Sequence, residues 1–203
     1  MAAILFLAIF PLRADDFSTV PRFAPMHFVS KIDAQTPLEL TFQNESGESV
    51  ELGHLLNNKP VILNLVYFNC PRMCTDVLNG LVSAMRRMRL ELGKDYSVIT
   101  LSIDDREKPD LAKAKKRLYV DHYGRPGAES GWSFLTGKAE DIQSLAEAVG
   151  FNYHYYPDID QYDHALGIVV LTPKGKIAQY FYGVRYDPGK LSAALVKASK
   201  GSN

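Results

Sequence analysis

The sequence predicts an α/β domain: a central sheet flanked by helices, with an N-terminal β-hairpin. Three observations predict it. Apolar runs of strand length, rich in β-branched and aromatic residues, alternate with stretches of helical periodicity. Glycine and proline fall at the junctions between them. The length of 203 residues fits one domain with a core of its own and a terminal extension.

The first twelve residues (MAAILFLAIFPL) are almost entirely apolar. They are too few to span a bilayer, which takes ~20. Residues 1–14 are therefore expected to be a signal-peptide-like or clipped leader, with a cut after Ala14. Residues 15–37 carry Pro21, Pro25 and Pro37 and little periodicity, and are expected to form an extended arm. The folded domain is expected over 38–200.

Within it, residues 38–42 alternate apolar and polar, 44–47 supply turn residues, and Val50, Glu51 and Leu52 follow, which predicts a hairpin. Residues 60–68 (PVILNLVYF) form a continuous run typical of a strand buried on both faces. A helix is expected over 72–92, with Leu78, Leu81, Val82, Met85, Met88 and Leu92 at helical spacing and Gly93 closing it. Residues 97–103 predict a second buried strand. Pro109 predicts a helix start, with the helix running to Val120. A short strand is expected over 132–135, a helix over 138–149 ended by Gly150, and a strand pair over 166–171 and 176–182. Asp187 and Pro188 open a last helix to Ala198. This order is thioredoxin-like.

Composition narrows the function classes. Lys plus Arg number 23 and Asp plus Glu number 23, so the formal net charge is zero. A nucleic-acid partner, which needs a basic patch or stripe, is not expected. Only two cysteines are present, Cys70 and Cys74, which excludes a disulfide-stapled scaffold.

Cys70 stands where the buried run at 60–68 gives way to a helix, and Pro71 suits the first helical position. Cys74 is four residues on, so the two sulfurs share one face of the first turn. A helix N-terminus favours thiolate over thiol, and Arg72 adds to that. Two such thiolates can bind a soft metal, exchange with a disulfide, or reduce a peroxide. Thioredoxin-type oxidoreductases separate their cysteines by two residues; here there are three, Pro71, Arg72 and Met73. Thiolates select Cu(I), zinc or iron–sulfur clusters, and structural zinc wants four protein ligands. A third donor from elsewhere is needed, and imidazole is the natural one.

Of five histidines, His164 is the candidate. It precedes the strand at 166–171, at the place where thioredoxins carry a cis-proline, facing the cysteine helix. His54 reads as a surface residue near a turn, His122 as an end cap of its helix, and His154 as packing in an aromatic stretch. His27 lies in the arm beside Met26. Met73 reads as packing rather than as a thioether donor. Residues 151–162 are aromatic-rich and read as a partner surface or a covered loop.

Four segments in order resemble the Sco/SenC family of copper proteins, which help assemble cytochrome c oxidase. They are Val66-Tyr67-Phe68-Asn69-Cys70-Pro71-Arg72-Met73-Cys74, then Ser102-Ile103-Asp104-Asp105 with Pro109, then Gly131-Trp132-Ser133-Phe134-Leu135-Thr136-Gly137, then Asp163-His164. The resemblance covers residues 38–197. It implies that Cys70, Cys74 and His164 bind one copper ion, as Cu(I) or Cu(II). It implies a metallochaperone that delivers copper to the binuclear site of the oxidase copper-site subunit. The alternative is a thiol–disulfide reductase keeping that subunit's cysteines reduced, with Cys70 attacking and Cys74 resolving. Other copper chaperones or thiol reductants are further expected partners. A monomer is expected, exported to the periplasm or the outer face of the cytoplasmic membrane. Two positions depart from the family: Thr75 and Asp105 stand where prolines are usual. Asp104, at a strand end near the cysteines, reads as tuning the site or as a cap or loop residue. The fold also resembles peroxiredoxins, but Tyr67 stands at their threonine position and Leu63 at their upstream proline, which argues against a peroxidase.

Overall fold

A computed structural model describes residues 26–70 and 73–201, with the backbone alone for residues 73 and 74. The expected leader and residues 15–25 of the arm lie outside the described residues. The N-terminal hairpin is present as β1 (Thr41–Gln43) and β2 (Ser49–Glu51), antiparallel with Thr41 opposite Glu51. Asn44 shapes its turn, accepting the N–H groups of Ser46 and Glu48 on Oδ1, both at 2.9 Å. A short helix, α1 (Leu52–Leu56), follows directly. Leu52 was expected in the hairpin; it is instead the first residue of this helix and fully buried.

Next come β3 (Val61–Val66), α2 (Met73–Arg87), β4 (Ser97–Ser102), α3 (Pro109–Tyr123), α4 (Ala128–Gly131), β5 (Trp132–Leu135) and α5 (Ala139–Ala148). The chain closes with β6 (Tyr153–Tyr156), β7 (Gln161–His164), β8 (Gly167–Leu171), β9 (Ile177–Tyr182) and α6 (Pro188–Ser199). Five strands form the central mixed sheet in the order β5-β4-β3-β8-β9. β3, β4 and β5 run parallel, while β8 is antiparallel to both β3 and β9. All six residues of β3 and of β4 are buried, as expected of strands covered on both faces. α3 packs against β5 and α2, and α6 against β8, β9 and α2.

Two expected helix ends shift for identifiable reasons. α2 stops at Arg87, short of Leu92, because Arg125 reaches across and donates from Nη1 to the carbonyls of Met85 and Met88, both at 2.9 Å. Both carbonyls lie at the helix end, where i+4 partners run out; Met85 O also accepts from Met88 N–H at 3.2 Å. Gly93 then serves the following turn, at φ 84°. α3 extends to Tyr123, so His122 lies inside its last turn rather than beyond it, and Gly124 closes the helix at φ 63° by donating to Val120 O. α6 begins as the sequence predicts, with Asp187 accepting from Lys190 N–H and Pro188 in the first turn.

The described part of the arm is laid along the domain. Val29 donates to Gly150 O at 2.7 Å, and Asp33 N–H and Ala34 O bond both backbone groups of Ile177, on the outer edge of β9. That covers part of an edge strand which would otherwise present open donors and acceptors.

Gly80, mid-way along α2, lets the helix lie against the β9–α6 loop. A Cβ there would come 1.8 Å from Val184 O and 2.9 Å from its carbon. In an exposed helix Gly→Ala would stabilise. Here the neighbour is backbone and cannot yield, so Gly80→Ala is expected to destabilise by about 2 kcal/mol, read as a lower urea midpoint; an unchanged or higher midpoint would show that the loop moves aside.

Candidate metal centre

β3 carries the chain to the edge of the sheet, where a tight turn closes with Cys70 N–H on Tyr67 O at 3.4 Å. The turn is held from β4's side. Glu107, 5% exposed, accepts the N–H of Phe68 at 2.8 Å, the N–H of Asn69 at 2.7 Å and the Ser102 hydroxyl at 2.6 Å. The backbone is therefore fixed immediately ahead of Cys70, which is half-buried at the edge of the core. Cys74 is the second residue of α2; its side chain is outside those described.

His164 closes β7 and is 7% exposed. Its ring stacks on Phe151 (centroids 5.6 Å apart, planes 28°) and meets Tyr67 edge-on at 6.1 Å. Nδ1 lies 2.8 Å from Ala165 O. A carbonyl only accepts, so Nδ1 donates and Nε2 carries the lone pair of the neutral ring. Burial lowers the His164 pKa below the ordinary histidine value. The Ala165 carbonyl and negative charge at Cys70 and Asp163 pull the other way. Cys70 and His164 both meet Tyr67, the first by its N–H on the Tyr67 carbonyl and the second by its ring on the Tyr67 ring.

His164 was expected just before the strand at 166–171, and it does precede β8. It also closes a separate two-stranded sheet, β6–β7, in which it pairs with Tyr153. The segment 151–162 is therefore mostly hairpin. An aromatic run, a Pro-Asp turn with Asp160 at φ 49°, and a second aromatic–polar run are its signal in the sequence.

The other histidines stand apart. His27, His54, His122 and His154 are all exposed. His54 is in α1, and His154 lies against Tyr156 at 4.6 Å on the hairpin's outer side instead of packing in the core. Among the described residues no three of His, Cys, Asp and Glu cluster as a metal site. The expected set is represented there by Cys70 and His164.

The sequence did not single out Arg106 or Glu107. Arg106 donates from Nε and Nη2 to the two oxygens of buried Asp104, at 2.8 and 2.7 Å. Its Nη1 reaches the hairpin, 2.9 Å from the Tyr155 hydroxyl and 2.8 Å from Asp160 Oδ1. Hydrogen bonds from Tyr155 and Arg106 hold the Asp160 carboxyl below its usual range. Asp104 is thereby a loop anchor, with both oxygens committed to Arg106.

The sequence model described as SCO1/SenC matches residues 31–200, most of the chain. The chain belongs to the SCO1/SenC family. Among curated relatives, the bovine protein named SCO2 homolog, mitochondrial, is 30% identical over 62% of this chain and 46% of its own length. The chain spans less than half the length of the curated relatives it matches. Among solved structures, a candidate electron transfer protein of Aquifex aeolicus VF5 superposes with a TM-score of 0.72 at 26% identity, covering 85% of this chain and 96% of that one. Arabidopsis thaliana ScoI, solved with copper bound, gives 0.64 at 22% identity over 84% and 99% and shares the fold. The Sco neighbours agree with the thioredoxin-like layout. Among the described residues no helix is long and apolar enough to cross a membrane.

The buried imidazole sets a pH dependence. Its folded pKa lies below the unfolded value of 6.5, so the unfolded chain takes up the proton first as pH falls. Stability from this source is then constant above about pH 6.5 and declines below it, down to the folded pKa. The urea midpoint of the metal-free protein is expected to drop as pH falls below about 6.5, and His164→Asn to flatten part of that slope. Identical slopes would mean that His164 is protonated as readily in the fold as outside it.

Proposed function

We propose that this protein binds one copper ion through Cys70, Cys74 and His164 and passes it to the copper-site subunit of cytochrome c oxidase. The observation that carries the reading is the convergence of Cys70 with a buried, neutral His164 whose tautomer is fixed. A thiolate at a helix N-terminus and an imidazole Nε2 lone pair are soft and borderline donors suited to copper. The Nδ1–H bond to Ala165 O plays the part of the outer-shell partner that orients a metal-binding histidine. The copper-bound Arabidopsis relative and the family's role in oxidase assembly support the same reading.

Two thiolates and one imidazole leave the bound ion open to a further donor. A client donor would add to it, client donors would then replace the Cys70 and Cys74 sulfurs and the His164 imidazole in turn, and copper would change hands without changing oxidation state. Binding requires both cysteines reduced, so a Cys70–Cys74 disulfide is an off state. The apolar stretch at residues 1–12 supports export, to the periplasm or the outer face of the cytoplasmic membrane.

The test is copper titration of the reduced protein. The wild type is expected to bind one equivalent with intense thiolate-to-Cu(II) absorption. His164→Ala should cost more than the ~10–100-fold typical of losing an outer-shell partner. Unchanged affinity in the mutant would remove His164 from the site. Absence of copper binding together with rapid thiol–disulfide exchange would replace the chaperone by a reductase, which needs the two cysteines and not the histidine.

A further inference from the structure

The proposed ligands come from two pieces of chain that share no sheet. Cys70 follows β3 of the central sheet, whereas His164 ends a two-stranded sheet of its own. An isolated hairpin is marginally stable at best. Something must therefore hold β6–β7 at a set distance from the cysteine turn. The loop between β4 and α3 touches both. Glu107 takes the Phe68 and Asn69 N–H groups of the cysteine turn. Its neighbour Arg106 takes the Tyr155 hydroxyl and Asp160 carboxylate of the hairpin, while its other nitrogens grip Asp104 of the loop itself. The guanidinium also lies 4.7 Å from the Tyr155 ring centroid and 5.9 Å from that of Tyr162. Tyr162 packs on Tyr67 at 5.3 Å, and Tyr67 on His164.

We propose that Arg106 and Glu107 are positioning residues that together set the Cys70–His164 spacing, Glu107 through the cysteine turn and Arg106 through the histidine hairpin. The inference rests on the reading of Cys70 and His164 as copper ligands. The Arg106–Asp160 pair adds little to folding, its side chains being 50% and 72% exposed. The fork on Asp104, whose side chain is 8% exposed, does stabilise the loop, so the positioning role has to be read from ligand dependence and hairpin exchange and not from stability. What the pair does supply is direction: a planar donor fork with one side on the loop and the other on the hairpin. Glu107 differs in being buried, with its hydrogen bonds sheltered from water. The two act on opposite ligands, and this makes them separable.

The experiment is a double-mutant cycle on the full chain. Copper affinity is measured for wild type, Arg106→Ala, Glu107→Gln and His164→Ala, and for each of the first two substitutions combined with His164→Ala. Amide hydrogen exchange is followed on the metal-free forms. Arg106→Ala is expected to weaken copper binding about 10-fold and to speed exchange across residues 153–164 by about an order of magnitude. Most of its copper effect should be lost once His164 is alanine, because its hairpin contacts act through that ligand; what remains comes from its fork on Asp104 in the loop that carries Glu107. Glu107→Gln should expose the Phe68 and Asn69 amides and weaken binding in both backgrounds. Arg106→Lys keeps a charge but not the fork; it should fall between wild type and alanine, and it replaces Arg106→Ala in the cycle should that variant not fold. Equal losses for Arg106→Ala with and without His164, or an unchanged hairpin exchange rate, would overturn the proposal. Equal copper binding by wild type and His164→Ala would overturn the ligand assignment and the proposal with it, and the exchange data would still say whether the loop clamps the hairpin.

Discussion

A carboxylate that is 5% exposed has to be met by donors, and Glu107 is met by three. Two are backbone N–H groups of the turn after β3, and the third is the last side chain of β4. The Phe68 amide would otherwise be a buried donor without a strand to pair with, since the sheet has ended, and the Asn69 amide beside it would be left to water. One side chain thus satisfies the backbone where two parallel strands run out. Parallel strands deliver their C-terminal ends to the same edge of a sheet, which is where open α/β sheets place their sites. The cysteine turn takes its shape from that arrangement, and α2 starts from wherever the turn leaves it.

The histidine is governed by a different constraint. Its ring is out of water, so the charged form is disfavoured, and one nitrogen is already committed to a carbonyl. A histidine like this is kept neutral and oriented before any ligand arrives. The protein bears the burial cost in the fold, where Phe151 and Tyr67 offset part of it by packing on the ring. The reorganisation that binding would otherwise need is correspondingly smaller.

The sequence was most legible where local and global preferences agreed. β3 and β4 read as strands because their runs are mostly apolar, rich in β-branched residues and buried on both faces, and β5 because its short run is mostly aromatic and apolar. Pro109 and Asp187-Pro188 marked helix starts by their own stereochemistry. Legibility failed where a distant residue decided a local outcome. The end of α2 is set by Arg125, more than thirty residues away, and no periodicity in the helix itself could reveal it. The β6–β7 hairpin was passed over because its strands are mostly aromatic and polar, without the apolar alternation of a half-buried strand. At the site, the two cysteines and His164 stood out by chemistry and spacing. Arg106 and Glu107 did not, because a charged pair at the start of a helix ordinarily lies in water. Only the tertiary fold shows that Glu107 turns inward and Arg106 sideways.

That division also explains the two departures from the family pattern. Thr75 and Asp105 stand where prolines are usual, and both are exposed. Among the described residues neither side chain takes part in the hydrogen bonds of Glu107 and Arg106 or in the ring contacts of His164. Proline in the first turn of a helix fixes φ and removes an N–H that has no partner there in any case, so its loss from α2 leaves the helix bonding intact. In the β4–α3 loop the neighbouring Asp104–Arg106 fork supplies rigidity by hydrogen bonds that a proline would supply by its ring. The inner layer, from Glu107 to His164, answers to the donor geometry and tolerates little change. The outer layer, with Thr75, Asp105 and the exposed face of the hairpin, is free of those constraints because it faces solvent. A chain can therefore vary the second while keeping the first, and the exposed positions 75 and 105 lie outside the Glu107 and Arg106 hydrogen bonds.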